Sequence, residues 1–138
     1  MKKIKAFLVI LCLAITNLIS AQSLTEKQKE KEKNKVEIYS SDERDNIQMW
    51  FHEETKKMGL SENVQNEYDA IISDAVFDMR RLNDKDKGYS NEKIESKLAL
   101  IVEKTNKKVK PLLTEEQFLN HKKNFEEIVN NAKRKLNN

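Results

Sequence analysis

The chain has 138 residues, of which 36% are charged, with 26 Lys and Arg against 23 Asp and Glu and only two Gly and one Pro. Three of the cations, Lys2, Lys3 and Lys5, precede an apolar run, and removing residues 1–21 leaves 23 cationic against 23 anionic side chains. This balance gives no electrostatic argument for nucleic acid as a partner, and the scarcity of Gly and Pro favours helices over strands.

Residues 1–21 are predicted to be a cleavable signal peptide, because the basic start is followed by an apolar run beginning at Ala6 and by the small residues Ser20 and Ala21. The run is shorter than the ~20 residues that span a bilayer. We therefore expect export to the periplasm without stable membrane insertion after cleavage. The single cysteine, Cys12, lies in this leader, so we expect the exported protein to have no disulfide.

Residues 22–39 are predicted to be a charged, flexible arm or a solvated helical extension, because almost nothing in the Lys- and Glu-rich part of this segment is apolar. Residues 40–138 are predicted to form a single helical domain. Its first helix begins after Ser40, which has capping-box spacing to Glu43, and ends at Gly59. The apolar stripe of this helix contains Ile47, Trp50, Phe51 and Met58.

The second helix begins at Ser61 and has the clearest amphipathic pattern of the chain. Its stripe consists of Val64, Tyr68, Ile71, Ile72, Ala75, Met79 and Leu82. Residues 83–89 are rich in turn-forming types and predict a loop. A third helix is predicted from Ser90 to just before Pro111, because proline disfavours helical geometry in the residue before it. Its stripe consists of Ile94, Leu98, Ile101, Val102 and Val109.

The fourth helix is predicted to begin at Thr114, with Gln117 as its reciprocal capping partner and with Leu113 and Phe118 as a hydrophobic staple. Its stripe continues to Leu136. The sequence thus predicts an all-α fold, a small bundle or an elongated hairpin of about four helices. Because the chain is short for a self-sufficient core, we expect it to assemble as a homodimer.

The residues that could carry chemistry are few. Two histidines, with neither a glycine-rich phosphate loop nor a nucleophile elbow, predict that the protein is not an enzyme and has no cofactor. The alternative to a protein without a cofactor is a metal site made of His52, Glu53 and His121. Two histidines without a cysteine are, however, few ligands for zinc or copper. The position of His121 between Phe118 and Phe125 is also typical of a histidine at the edge of a core.

Four apolar residues fall away from the stripes when each helix is wound at ~100° per residue. They are Met49, Phe77, Leu100 and Leu119. Single apolar residues on a surface are common and require no function. The alternative is that these four form a dimer contact or a surface that binds unfolded or partly folded proteins.

The segment Leu113–Gln117 reads LTEEQ, and this LTxxQ pattern resembles the Spy/CpxP family of small periplasmic helical proteins. A second, imperfect copy begins at Leu60 and Ser61, where Val64 replaces the expected Gln, so we expect its reciprocal cap to be incomplete. The resemblance implies a hairpin-like subunit that dimerises into a cradle and holds clients without ATP. The family pattern does not assign a client-binding role to the four off-stripe residues.

The leading hypothesis is therefore an exported periplasmic chaperone-like or envelope-stress-responsive binding protein. One alternative is a metal-responsive periplasmic protein of the same helical kind. Another is an adaptor that binds a single partner.

Overall fold

The computed structural model describes residues 25–137, so the predicted signal peptide and Cys12 lie outside the described residues. The predicted all-α class is confirmed, since every regular element in the described range is helical. The helices are α1 (Glu26–Asn34), α2 (Ser41–Lys56), α3 (Glu62–Arg80), α4 (Asn91–Val109) and α5 (Glu115–Leu136), with a 3₁₀ turn at Lys110–Leu112 between α4 and α5. None of the described helices has the length and apolar character needed to cross a membrane.

The chain divides into two units, Met1–Asn34 and Lys35–Asn138. In the first unit, α1 buries none of its residues, which agrees with the predicted solvated helical extension. Its first turn is closed by Thr25 and Gln28. The Thr25 N–H donates to Gln28 Oε1 at 2.8 Å, and the Gln28 N–H donates to Thr25 Oγ1 at 3.3 Å.

The second unit is organised around an α3/α4 hairpin. α5 packs on both helices of this hairpin, and α2 packs principally on α5. The buried apolar core is formed mainly by α3, α4 and α5, and Phe51 of α2 packs against it while only partly buried. Its largest fully buried apolar side chains are Tyr68, Met79, Val109 and Phe125. The predicted stripes of α3, α4 and α5 provide most of this core.

The predicted helix starts are confirmed. Ser40 and Glu43 form a complete capping box, and the Ser90 side chain accepts the N–H of Lys93. Ser61 precedes α3 but makes no side-chain cap bond, as expected for the imperfect motif copy. Gly59 adopts the left-handed backbone, with φ of 62°, which a side chain would strain.

Two details of the domain differ from the predictions. Trp50 does not belong to the covered stripe of α2 and remains 38% exposed, because α2 has α5 as its principal neighbour and only part of its apolar face is covered. The boundary at residue 40 is also misplaced, since Tyr39 is buried and Ile38 packs against the core.

The segment before α2 is held by a buried carboxylate. Asp84, in the loop after α3, accepts the Val36 N–H at 3.2 Å and pairs with Arg81 Nε at 2.5 Å. Glu37 pairs with Lys35 Nζ at 2.5 Å, and the hydrogen bond from that ammonium is the main reason that the pKa of Glu37 is lowered. Residues 35–39 are therefore part of the folded unit and not of a flexible arm.

The α5 capping box also joins α5 to the turn that follows α2. Gln117 Oε1 accepts the Thr114 N–H at 3.0 Å, while Gln117 Nε2 donates to the carbonyl oxygen of Met58 at 3.0 Å. Met58 lies in the turn that follows α2 and is buried. The side-chain oxygen of Gln117 accepts one hydrogen bond and its side-chain nitrogen donates another, so this position requires an amide. A carboxylate could accept the capping bond but could not donate the second one.

We predict that Gln117→Glu lowers the free energy of unfolding by about 1 kcal/mol, although Glu is a normal capping-box residue. The carboxylate of the new Glu still accepts the Thr114 N–H, but it cannot donate a hydrogen bond to the Met58 carbonyl oxygen. One of its oxygens instead faces that carbonyl oxygen. Thermal unfolding followed by circular dichroism should show a melting temperature lower by about 4–8 °C. Asn120→Asp, the same chemical change on the exposed face of α5, is the control and should shift it little. Equal melting temperatures for Gln117→Glu and the unmodified protein would contradict this role.

Candidate binding groove

The four off-stripe residues are exposed in the structure. The exposed fractions are 60% for Met49, 57% for Phe77, 57% for Leu100 and 65% for Leu119. They lie on α2, α3, α4 and α5 respectively, one on each helix of the second unit. Exposure of this kind is a condition that a binding or dimer surface requires, and one of the four residues, Phe77, borders a groove.

Phe77 lines a groove between α3 and α4 that encloses about 270 Å³. Its apolar lining also includes Ile71, Ala75 and Ile101. The Arg81 guanidinium lies 5.9 Å from the centre of the Phe77 ring, in cation–π range, so the ring is held at the edge of the groove. Met49, Leu100 and Leu119 are not among the lining residues.

The groove has charged walls of opposite sign. Asp74 and Asp78 stand on the α3 side, and Lys104 and Lys108 stand on the α4 side. The spacing within each pair is one helical turn, so both members of a pair share a helix face. The groove therefore combines an apolar floor with an acidic wall and a basic wall.

The groove lies away from α5. At ~100° per residue, Lys104 and Asn106 point to nearly opposite sides of α4, and Asn106 is the residue whose side chain bonds to α5. Leu100, four residues before Lys104, extends the α4 surface on the groove side. Of the four off-stripe residues, Phe77 and Leu100 are thus the two that the helix geometry relates to the groove.

The alternative of a metal site at His52, Glu53 and His121 is not supported by the structure. His52 is exposed on α2, whereas His121 is fully buried and both of its ring nitrogens are engaged. Within the described residues, no group of three or more His, Cys, Asp or Glu side chains is placed to hold a metal ion. His52, Glu53 and His121 therefore do not form a common site.

His121 instead joins three helices through hydrogen bonds. Its Nδ1 lies 3.0 Å from the Tyr68 hydroxyl of α3, and its Nε2 lies 2.9 Å from Asn106 Oδ1 of α4. Since Asn106 Oδ1 can only accept, Nε2 carries the proton and Nδ1 accepts from Tyr68. The imidazole also stacks between Phe118 and Phe125, with ring centres 5.7 and 5.4 Å away.

Burial sets the protonation states of this network. It lowers the pKa of His121 to about 4, which keeps the imidazole neutral at pH 7. It raises the pKa of the Tyr68 hydroxyl, with a smaller contribution from the nearby Asp69, so the hydroxyl stays protonated and able to donate. The network is a structural junction and not a ligand set.

The motif residues also have structural positions. Leu60 and Leu113 pack against the core, and Thr114 and Gln117 close the start of α5. Ser61 marks the start of α3 without a side-chain cap. These residues position helix ends and take no part in the lining of the groove.

Sequence reasoning did not find the walls of the groove. Lys104 and Lys108 look like ordinary solvated lysines, and only the pairing of α3 with α4 places them opposite Asp74 and Asp78. The available signal was the one-turn spacing of like charges on two helices predicted to be adjacent.

The chain as a whole matches no family model, no curated protein and no solved structure.

We predict that stability falls as the pH is lowered from about 6.5 to about 4, because the unfolded chain protonates His121 in this window and the folded chain does not. The loss should be on the order of 2 kcal/mol. His121→Gln can keep both hydrogen bonds but cannot titrate, so its unfolding free energy should lose this slope. The change of unfolding free energy with pH is measured by urea unfolding of both proteins at pH 7.5, 6, 5 and 4.5.

His52→Gln is the matched control for that experiment, since it removes the exposed histidine and should leave the slope unchanged. A His121→Gln variant that keeps the full slope would contradict the neutral, buried state of the imidazole.

Proposed function

We propose that this protein is an exported, ATP-independent chaperone-like or envelope-stress-responsive binding protein of the periplasm, without catalytic activity. In this proposal it holds unfolded or partly folded clients. The observation that carries the proposal is the α3/α4 groove, where the exposed Phe77 stands at the edge of an apolar floor between walls of opposite charge. Exposed apolar surface rimmed by polar groups is typical of interaction sites.

The distribution of apolar residues supports weak, repeated contacts. Burying one Leu or Phe side chain contributes about 1.5–3 kcal/mol, which alone is less than the ~4 kcal/mol of a millimolar complex. A client must therefore engage several exposed residues at once, and Met49, Phe77, Leu100 and Leu119 offer one on each helix. Weak individual contacts suit a protein that must release its client without ATP.

The abundance of surface charge is the second support. More than a third of the chain is charged, so the apolar sites stand among groups that keep the protein soluble. Long charged side chains can also adjust to clients of different sequence. The resemblance of Leu113–Gln117 to the LTxxQ pattern of Spy/CpxP proteins supports periplasmic export and assembly as a homodimer as further parts of the same proposal.

The proposal is tested by light scattering of a client that aggregates on refolding. Equimolar protein should suppress the scattering, because its exposed apolar residues compete with client self-association. The double variant Phe77→Asp/Leu100→Asp should lose most of the suppression while keeping its helical circular dichroism spectrum, since both side chains are exposed.

Ser73→Asp is the control, because it adds a negative charge one helical turn from Phe77 without removing apolar surface. It should suppress aggregation as the unmodified protein does. If the unmodified protein leaves the scattering unchanged, the chaperone-like proposal fails.

A further inference from the structure

We propose that the α3/α4 groove recognises a short amphipathic helix whose apolar stripe is flanked by cationic residues on one side and anionic residues on the other. This inference deepens the proposed function, on which it rests for its biological context, by naming the kind of client segment that the groove takes. It is tested by direct binding, so it can fail while the wider proposal stands.

The length of the groove fits two turns of helix. On α3 the lining runs from Ile71 to Asp78, and on α4 it runs from Ile101 to Lys108. Each stretch spans eight residues, and the seven steps between them at ~1.5 Å rise give roughly 10 Å on each side. An occupant of matching length presents apolar residues at positions i, i+3 or i+4, and i+7, which is the helix-in-groove mode of recognition.

The depth of the groove comes from small residues. Ala75 and Thr105 are both buried and lie on facing helices at its bottom. The Thr105 hydroxyl donates a hydrogen bond to the carbonyl oxygen of Ile101 at 2.7 Å, so it offers no free donor to the groove. The volume of about 270 Å³ exceeds the roughly 150 Å³ of a cavity that holds benzene, which leaves room for apolar side chains of an occupant.

The charges of the walls are available to an occupant. Within the described part of the chain, the carboxylates of Asp74 and Asp78 and the ammonium groups of Lys104 and Lys108 make no ion pair with one another or with a neighbour. A helix in the groove would therefore pair its cations with the α3 wall and its anions with the α4 wall. A flank of the wrong sign would place like charges together.

The small size of the groove favours a single helix over a second copy of this chain. A stable protein dimer buries about 800 Å² on each partner, using some 20–30 residues a side. The groove is lined by nine residues, and the charged helix faces beside it lack a continuous apolar surface. A peptide-sized occupant matches this surface better than a whole domain does.

The test uses three synthetic helical peptides with the same Leu stripe. The first carries Lys on one flank and Glu on the other, the second carries Lys on both flanks, and the third carries Glu on both. Calorimetry with the purified protein should show the first peptide binding at least about fivefold more tightly than either of the others. The reason is that each single-sign peptide loses two ion pairs on one wall and gains repulsion there.

The charge pattern should also fix the direction in which the peptide lies, because reversing a helix in a groove exchanges its flanks. A paramagnetic label on the peptide N-terminus should broaden amide signals at one end of the groove only. In the variant Asp74→Lys/Asp78→Lys/Lys104→Glu/Lys108→Glu, which keeps the net charge, the broadening should move to the other end while the affinity remains within about twofold.

Two variants locate the site. Phe77→Ser removes an apolar lining residue and should weaken binding of the first peptide, whereas Trp50→Ser removes a partly exposed apolar residue that lies outside both the lining and the four off-stripe residues, and should not. Equal binding of the three peptides, or an unchanged label position in the charge-exchanged variant, would overturn the inference. Concentration-dependent shifts of the groove amides without peptide would assign the groove to a second copy and overturn it too. Suppression of client aggregation that persists after any of these results would leave the proposed function standing.

Discussion

The hydrogen-bonded junction of Tyr68, His121 and Asn106 is the interaction on which the arrangement of the helices depends. It connects α3, α5 and α4 at one point, and Phe51 of α2 stacks on Tyr68 with ring centres 6.0 Å apart. A buried polar group that loses its partner is costly, whereas a fully satisfied network specifies one packing among several apolar alternatives. This matters for a chain without a cysteine in its described part, where no covalent link holds the helices together.

The ends of the helices are tied in a complementary way. Gln117 joins the start of α5 to Met58 after α2, and Lys135 near the end of α5 pairs with Glu43 in the first turn of α2. The hydrogen bond from Lys135 is the main reason that the pKa of Glu43 is lowered. α2 packs principally on α5 and has limited apolar contact with the other helices, so these two polar links help to hold α2 in place. Trp50 of α2 can therefore remain partly exposed.

Local chemistry made much of this fold predictable. The helix starts at Ser40, Ser90 and Thr114 follow from side chains that satisfy nearby backbone donors, so they need no knowledge of the tertiary structure. The exposure of Phe77 and Leu100 follows from helical periodicity in the same way.

The errors concern contacts between distant segments. Tyr39 could not be assigned to the core from Val36 and Ile38 beside it, because its burial depends on the helices against which residues 35–39 are held. Nor could the sequence show that His121 is engaged by Tyr68 and Asn106, which lie 53 and 15 residues away along the chain. The groove walls were missed for the same reason, since opposite charges on two helices become one feature only when the helices pair.

The junction and the groove are two consequences of one asymmetry in the α3/α4 hairpin. On one side, Asn106 and Tyr68 reach the imidazole of α5, and the aromatic rings of that helix fill the space between the hairpin helices. On the other side, the short side chains of Ala75 and Thr105 leave the space open, and no described helix covers it. Larger residues at these two positions would fill the groove from within and add to the core. The smaller residues leave the floor accessible while α5 supports the hairpin from behind, so the site can be open without loosening the helices that form it.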